Sequence, residues 1–200
     1  MVPGMITIGL GAHAVATKRT KTAIQRTTPK RNTDSASPPP VLLSLDPAIV
    51  SGWAIWLNGD LHSSGVAKTA EHRDKVVSDC WDLVAAEDFP GSCIFVAYEK
   101  TIFGPKGTVW GLGRACGKWF EHLELAKVPE KQIRSYTAGE WRRRVWGSKR
   151  MVGNKAQRRA GWKLWALTWV KTYYGVDAKT DDEAEAICIG EAWLLDDPLP

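Results

Sequence analysis

Two carboxylates stand where α/β proteins commonly do their chemistry. Asp46 closes the apolar run Val41-Leu42-Leu43-Ser44-Leu45, and Glu99 closes Cys93-Ile94-Phe95-Val96-Ala97-Tyr98. A short apolar run stopped by a turn signal reads as a buried strand, and an acid at its C-terminal end lies at the rim of the sheet. Taken singly, either is equally a solvated turn residue. A third group, Asp181-Asp182-Glu183-Ala184-Glu185, opens the last helix. Acids in a first turn are stabilised by the helix dipole, yet four in five residues exceed what capping requires. Their mutual repulsion is costly unless a cation sits among them. Asp182 and Glu185, at i and i+3, can project from one face toward a shared ion, a pairing that favours Asp182 over Asp181. Carboxylates with few nearby histidines select hard cations, so the expected metal is Mg²⁺ or Mn²⁺ and not Zn²⁺.

The charge pattern indicates what such a centre would act on. Residues 129–163 carry eleven basic residues against Glu130 and Glu140, while residues 177–200 carry eight acids against Lys179. A basic block beside an acidic patch suits a metal-dependent enzyme of polyanions. Within the block, Arg142, Arg143, Arg144, Lys149, Arg150, Arg158 and Arg159 are interleaved with Trp141 and Trp146, and are expected to contact phosphates. Lys106 and Arg114 are read as further DNA contacts. Trp162, Trp165 and Trp169 fall at helical spacing, which favours core packing over base stacking.

The elements that must position these groups follow from the hydrophobic pattern. The chain has 200 residues, 44% apolar, with no apolar run of the roughly 18 residues a membrane span needs. That length suits one α/β domain. Residues 1–40 hold six basic residues against Asp34, which accounts for the whole net charge of +5, and end in Ser37-Pro38-Pro39-Pro40. They are expected to be a disordered basic arm, and residues 41–200 the folded domain. No secretory signal is visible; mitochondrial targeting by the arm is a minor alternative to a cytoplasmic, bacterial or phage setting. Cys80, Cys93, Cys116 and Cys188 lack zinc spacing and read as free, mostly buried thiols in a reducing compartment.

Three antiparallel strands are expected first, with Asn58-Gly59 as the hairpin turn between 52–57 and 61–67. A helix over 69–87, a strand ending at Glu99, and a helix over 108–125 follow; Gly111, Gly113 and Gly117 would let that helix pack closely on a neighbour. A short strand around 131–134 comes next. Thr137, with Glu140 three residues on, caps a helix through Trp141 and Val145; a Trp-rich helix spans 154–174, and Thr180 caps the last one.

In this order the motifs resemble a known family. Strand-Asp46-Pro47 with Gly52-Trp53-Ala54 soon after, a strand ending in Glu99, Leu112-Gly113-Arg114-Ala115-Cys116-Gly117, and Asp182-x-x-Glu185-Ala-Ile-x-Ile are together similar to the RuvC group of Holliday-junction resolvases within the RNase H-like superfamily, closest to its phage-type members. The resemblance covers about residues 41–195. It implies an RNase H-like α/β fold, a mixed five-stranded sheet with helices on both faces. It also implies a homodimer that cuts opposed strands of a four-way DNA junction, with no small-molecule cofactor and no membrane partner.

Asp46, Glu99, Asp182 and Glu185 match the catalytic carboxylates, which would hold two Mg²⁺ ions roughly 3.5–4 Å apart, Mn²⁺ substituting. Asp46 would bridge them, Glu99 would serve the leaving-group ion, and Asp182 and Glu185 the nucleophile side, leaving a 5′ phosphate and a 3′ hydroxyl. Lys155 resembles the family's lysine near the active site, Ile102-Phe103 its base-probing wedge with one residue of extra spacing, and the 111–123 helix its dimer helix. The small residues of that helix could equally pack on the protein's own sheet. Two departures stand out: Ala48 where the family has Gly, and Glu185 where it has Asp or His.

Other readings share parts of the pattern. An RNase H-like nuclease acting on flaps, forks or RNA would need the same carboxylates, because substrate choice lies in loops and dimer geometry. A catalytically silent junction-binding protein would gain nothing from acids facing phosphates. An actin-like ATPase would need two such domains and a Gly-rich phosphate loop, which this chain lacks.

Overall fold

Asn58 and Gly59 both adopt positive φ, 50° and 82°. This tight turn matches the twist of the strands it joins, β2 (Ser51–Leu57) and β3 (Asp60–Ala67), which pair antiparallel with Leu57 opposite Asp60. β1 (Val41–Asp46) pairs antiparallel with β2 and parallel with β4 (Ile94–Glu99), and β4 pairs parallel with β5 (Ile133–Tyr136). The sheet order is therefore β3-β2-β1-β4-β5. This mixed sheet, three antiparallel strands followed by parallel ones, is the expected RNase H-like arrangement. The computed structural model describes residues 39–87, 89, 93–100 and 106–196, with backbone alone at 106–110 and 112. The expected arm and Phe103 thus lie outside the described residues, apart from Pro39 and Pro40.

The described residues also form five α-helices: α1 (Ala70–Ala86), α2 (Lys106–Leu125), α3 (Ala138–Trp146), α4 (Lys155–Tyr174) and α5 (Asp181–Leu194). Alternation along β1 sorts them. Val41, Leu43 and Leu45 pack with Val76, Val77, Cys80, Trp119 and Leu123 of α1 and α2. Leu42 faces the other way, into a core with Trp141, Trp169 and Ile187 of α3, α4 and α5. Both faces of the sheet are covered, which is why β1 reads as an unbroken apolar run. No described helix is long and apolar enough to cross a membrane.

Local signals placed most boundaries. Thr137 and Glu140 form a reciprocal capping box at α3, Asn154 and Gln157 another at α4, and Thr180 accepts from the Glu183 amide at α5. β5 starts two residues later than its pattern indicated, because Glu130–Gln132 forms a single 3₁₀ turn after Pro129. α2 starts two residues earlier. Of the three tryptophans at helical spacing on α4, Trp169 is buried while Trp162 and Trp165 are only half-buried.

α5 lies unusually close to the sheet because two glycines remove the side chains that would hold it off. A Cβ on Gly52 of β2 would overlap the Asp182 carbonyl, and one on Gly190 of α5 would overlap the Trp56 indole nitrogen. That nitrogen donates to the Ser44 hydroxyl at 3.0 Å, so the ring has a fixed place beneath the helix. Gly190→Ala should therefore cost about 1–3 kcal/mol by overpacking, read as a lower urea midpoint with an unchanged slope.

Candidate metal centre

β1 and β4 run side by side in register, Leu45 opposite Tyr98, so their terminal acids Asp46 and Glu99 emerge together at one rim of the sheet. Asp46 is also the cross-strand partner of Gly52, the residue on which the first turn of α5 rests. Glu185, one turn into α5, is thereby lowered over the same rim. Ligand atoms of Asp46, Glu99 and Glu185 lie within 4.8 Å of one another.

Each outer carboxylate has a fixed partner. Trp141 Nε1 donates to Glu99 Oε2 at 2.6 Å, and Arg142 Nη2 donates to Glu185 Oε1 at 3.1 Å. The Arg142 guanidinium lies 4.9 Å from the Trp141 ring and 5.5 Å from that of Trp162. Trp162 in turn stacks on Trp146, with 5.3 Å between centroids. This aromatic box limits how far the guanidinium can swing. At the β1–β2 turn the Ser51 hydroxyl donates to the Ala48 carbonyl at 2.7 Å and accepts from the Ala48 amide at 3.2 Å. Ala48 takes no positive φ, so the departure from Gly costs the turn no backbone strain.

Burial raises every carboxyl of the group, and neighbouring acids add to the rise at Asp46, Asp182 and Glu185. Asp46 is pushed well above the usual carboxylate range by loss of solvation and then by the charges of Glu99, Glu185 and Asp182, against which Arg142 works. Glu99 is raised by burial, with the Trp141 hydrogen bond and Arg142 opposing. Burial lifts Glu185 to about 7, while Arg142 opposes and Glu99 adds to the rise. Asp182 is raised by burial and by Asp181, with Lys163 and Arg159 opposing. Such a set resists full ionisation by itself and accepts it around a divalent ion. Oxygen donors alone, already nearly within the span of one coordination sphere, fit Mg²⁺ or Mn²⁺.

The sign of a pH effect follows. Glu185 titrates near 7 in the folded chain and near the ordinary 4.5 when unfolded, so between these values the folded state binds more protons. Stability of the metal-free protein should fall as pH rises through that window, whereas the increase in Tm produced by Mg²⁺ should grow. Melting curves with and without Mg²⁺ from pH 5 to 8 check both.

The remaining expected site residues fall into distinct places. Asp182 sits in the first turn of α5, close enough for its charge to act on Asp46, but outside the group of three whose ligand atoms meet. Asp181 turns instead to an ion pair with Lys163. Glu183 accepts from the Ser64 hydroxyl and the Lys179 amide, both at 2.8 Å, so this member of the acid run ties α5 to β3. Lys155 is exposed at the first position of α4, and no described contact joins it to the carboxylates. Lys163 lies eight residues further on the same helix, about two turns along one face, a spacing that would have pointed to it.

Among the basic residues, Arg142 belongs to the centre, and Arg144 pairs with Asp196 at 2.6 Å beside Arg134 at 2.8 Å. Arg143, Lys149, Arg150, Arg158 and Arg159 are exposed, as is Arg114 on α2. Lys149 lies over the Trp165 ring, and Arg158 donates to the Gly153 carbonyl at 2.9 Å. Lys106 begins α2, its side chain outside the described residues. Trp141 and Arg142 were legible as an aromatic and a cation in a basic block, but not as the partners of Glu99 and Glu185.

Comparison with known proteins adds the following. No protein-family model and no curated protein matches the chain. Two solved structures of Thermus thermophilus RuvC are similar to it. One, in complex with Holliday junction substrate, shares 17% identity over 76% of this chain and 90% of that one, with a TM-score of 0.49. The other shares 18% over 76% and 92%, also at 0.49. The RNase H-like fold itself stands on the strand order and register described above.

Proposed function

We propose that this protein is a metal-dependent, structure-selective endonuclease that resolves four-way DNA junctions by paired phosphodiester hydrolysis, in recombination and repair. The observation that carries the reading is the meeting of Asp46, Glu99 and Glu185 within 4.8 Å at the ends of adjacent parallel strands. The motif order in the sequence directs it toward junctions.

Asp46, Glu99 and Glu185 would hold the metal, with Asp182 extending the set. A hard divalent ion such as Mg²⁺ or Mn²⁺, held by these carboxylates, would supply an acidified water and charge neutralisation at the leaving oxygen. The charges of Glu99, Glu185 and Asp182 all act on Asp46, which makes it the natural shared ligand. Trp141 fixes the Glu99 carboxylate through one oxygen, and Arg142 fixes Glu185, so both are aimed before substrate arrives. The exposed Arg143, Lys149, Arg150, Lys155, Arg158 and Arg159 would neutralise backbone phosphates. The charge-free floor of Trp141, Trp146 and Trp162 limits water beside Arg142.

A junction has two strands to cut, which calls for two copies of the chain related by a two-fold axis. A Cβ built on Gly113 or Gly117, which lie on one side of α2, meets nothing within 4 Å among the described residues, so these two glycines do not serve packing on the described sheet. We assign that face to the dimer contact. Cysteines present as thiols, Cys80 and Cys188 among them, suit a reducing cytoplasm.

The test is cleavage of an immobile labelled four-way junction with Mg²⁺ or Mn²⁺, beside a splayed fork, a flap and plain duplex. Symmetric paired nicks on the junction are expected, with 5′ phosphate and 3′ hydroxyl ends. Preference for flaps or forks would move the function to branch processing, and tight binding without cutting under either metal would sink the catalytic reading.

A further inference from the structure

On the other face of the sheet, next to the turn that follows Asp46, is a cavity of about 240 Å³. Ala48 and Ile49 of that turn form one wall. Lys68, just before α1, Arg73 on α1, and Arg114 and Lys118 on α2 supply the charge, and no acid lines it. Three of these cations are exposed, but Arg73 is 3% exposed. Its guanidinium lies 5.9 Å from the Trp119 ring, and its Nε is buried with no hydrogen-bond partner. The carboxylate of the next residue, Asp74, lies beside the His122 ring at 2.6 Å, with no ion pair to Arg73 among the described residues.

An arginine cannot shed its proton, so a buried one without an anion keeps an uncompensated charge. Folding would not retain that arrangement cheaply unless something negative came to it. Arginine presents a planar fork of donors that matches the oxygens of a phosphate, and the three lysine and arginine neighbours converge on the same space. At about 30 Å³ per water, the cavity has the volume of roughly eight waters, enough for a tetrahedral oxyanion with some hydration.

We propose that this cavity is a phosphate seat in which Arg73, helped by Lys68, Arg114 and Lys118, holds one phosphate group. That the group is a phosphodiester of the DNA strand passing Asp46 over the β1–β2 turn rests on the nuclease reading; that the seat takes phosphate does not. On DNA, the seat would fix the strand on the side of the turn away from the basic face of α3 and α4. It thereby sets which phosphodiester lies at the carboxylates.

The experiment uses the full chain, with inorganic phosphate and an immobile four-way junction as the two probes. Phosphate should raise the Tm of the native protein above a chloride control of equal ionic strength, and Arg73→Met should abolish the rise. Lys118→Ala, on the exposed lip, should halve it or more and guards against a folding defect in the first variant; far-UV circular dichroism checks both. In the absence of divalent metal, junction affinity should fall about tenfold in Arg73→Met, and the slope of log affinity against log salt should shrink by about 0.9, one phosphate's worth.

A fall in junction affinity without a response to free phosphate still supports the seat and assigns it to DNA alone. A phosphate response that needs Arg73, in a protein that binds no nucleic acid, keeps the seat and removes the nuclease reading. Unchanged responses to both probes in Arg73→Met and Lys118→Ala would overturn the proposal.

Discussion

Asp46→Asn should abolish junction cleavage and, in metal-free buffer, melt at a higher temperature than the native chain. The two effects share one cause. Asp46 stands among Glu99, Glu185 and Asp182 in a place that strips its hydration, and its carboxyl is pushed well above the ordinary range. A carboxyl whose folded value is raised opposes folding once pH exceeds its unfolded value, so at neutral pH its charge is a burden on the native state. The amide keeps the shape and removes the charge. Relief of this kind is typically ~0.5–2 kcal/mol, roughly 1–8 °C in Tm for a chain of this size. Cleavage should fall by about a thousandfold or more, ~4 kcal/mol of barrier, because the shared ligand is lost. Mg²⁺ should raise the melting temperature of the native chain and do little for the variant. A variant that melts below the native chain without metal would show that the repulsion assigned to this group is absent.

Arg142→Leu should act in the opposite direction. Arg142 is the cation paired with Glu185, and the two side chains are 23% and 11% exposed. Removing one partner of a fully buried pair costs ~3–5 kcal/mol because the other charge is stranded. With some solvent reaching both, about 2–4 kcal/mol is expected here. Glu185 would respond by titrating higher still, since Arg142 is what now restrains it near 7. A divalent cation offers Glu185 a replacement partner, so saturating Mg²⁺ should recover most of the lost stability, more than it adds to the native chain. Denaturant curves at pH 7 with and without Mg²⁺ measure this directly. Equal losses in both conditions would mean that Arg142 serves packing against Trp141 and Trp162 rather than charge.

How far sequence alone reached depended on whether a feature was local. The Asn58-Gly59 turn, the Thr137/Glu140 box and the Thr180 cap are each written within four residues, and the structure has them all. The three antiparallel strands followed from the apolar runs and the hairpin turn, while the full mixed sheet came with the family resemblance and is the one observed. What lay beyond reach was decided by contacts between distant segments. Asp182 and Glu185 stand at i and i+3 on α5, yet only Glu185 brings a ligand atom within 4.8 Å of those of Asp46 and Glu99. Lys155 carries the family resemblance, but the lysine that meets the acid run is Lys163, since helix α4 presents its acid-facing side two turns further on. Arg142 and Arg144 look alike in a run of three arginines. A helical step of 100° separates neighbours, and in the fold one meets Glu185 while the other meets Asp196.

The seating of α5 between Gly52 and Gly190 has a consequence for when the protein becomes capable of chemistry. Asp46 lies on the first described strand and Glu185 on the last helix, so a growing chain holds two of the three central carboxylates long before the third exists. On a ribosome that delivers the N-terminal part first, the half-made protein would, on the proposed nuclease reading, carry the basic block before any complete centre exists. Competence arrives only when the final helix closes over the two glycines.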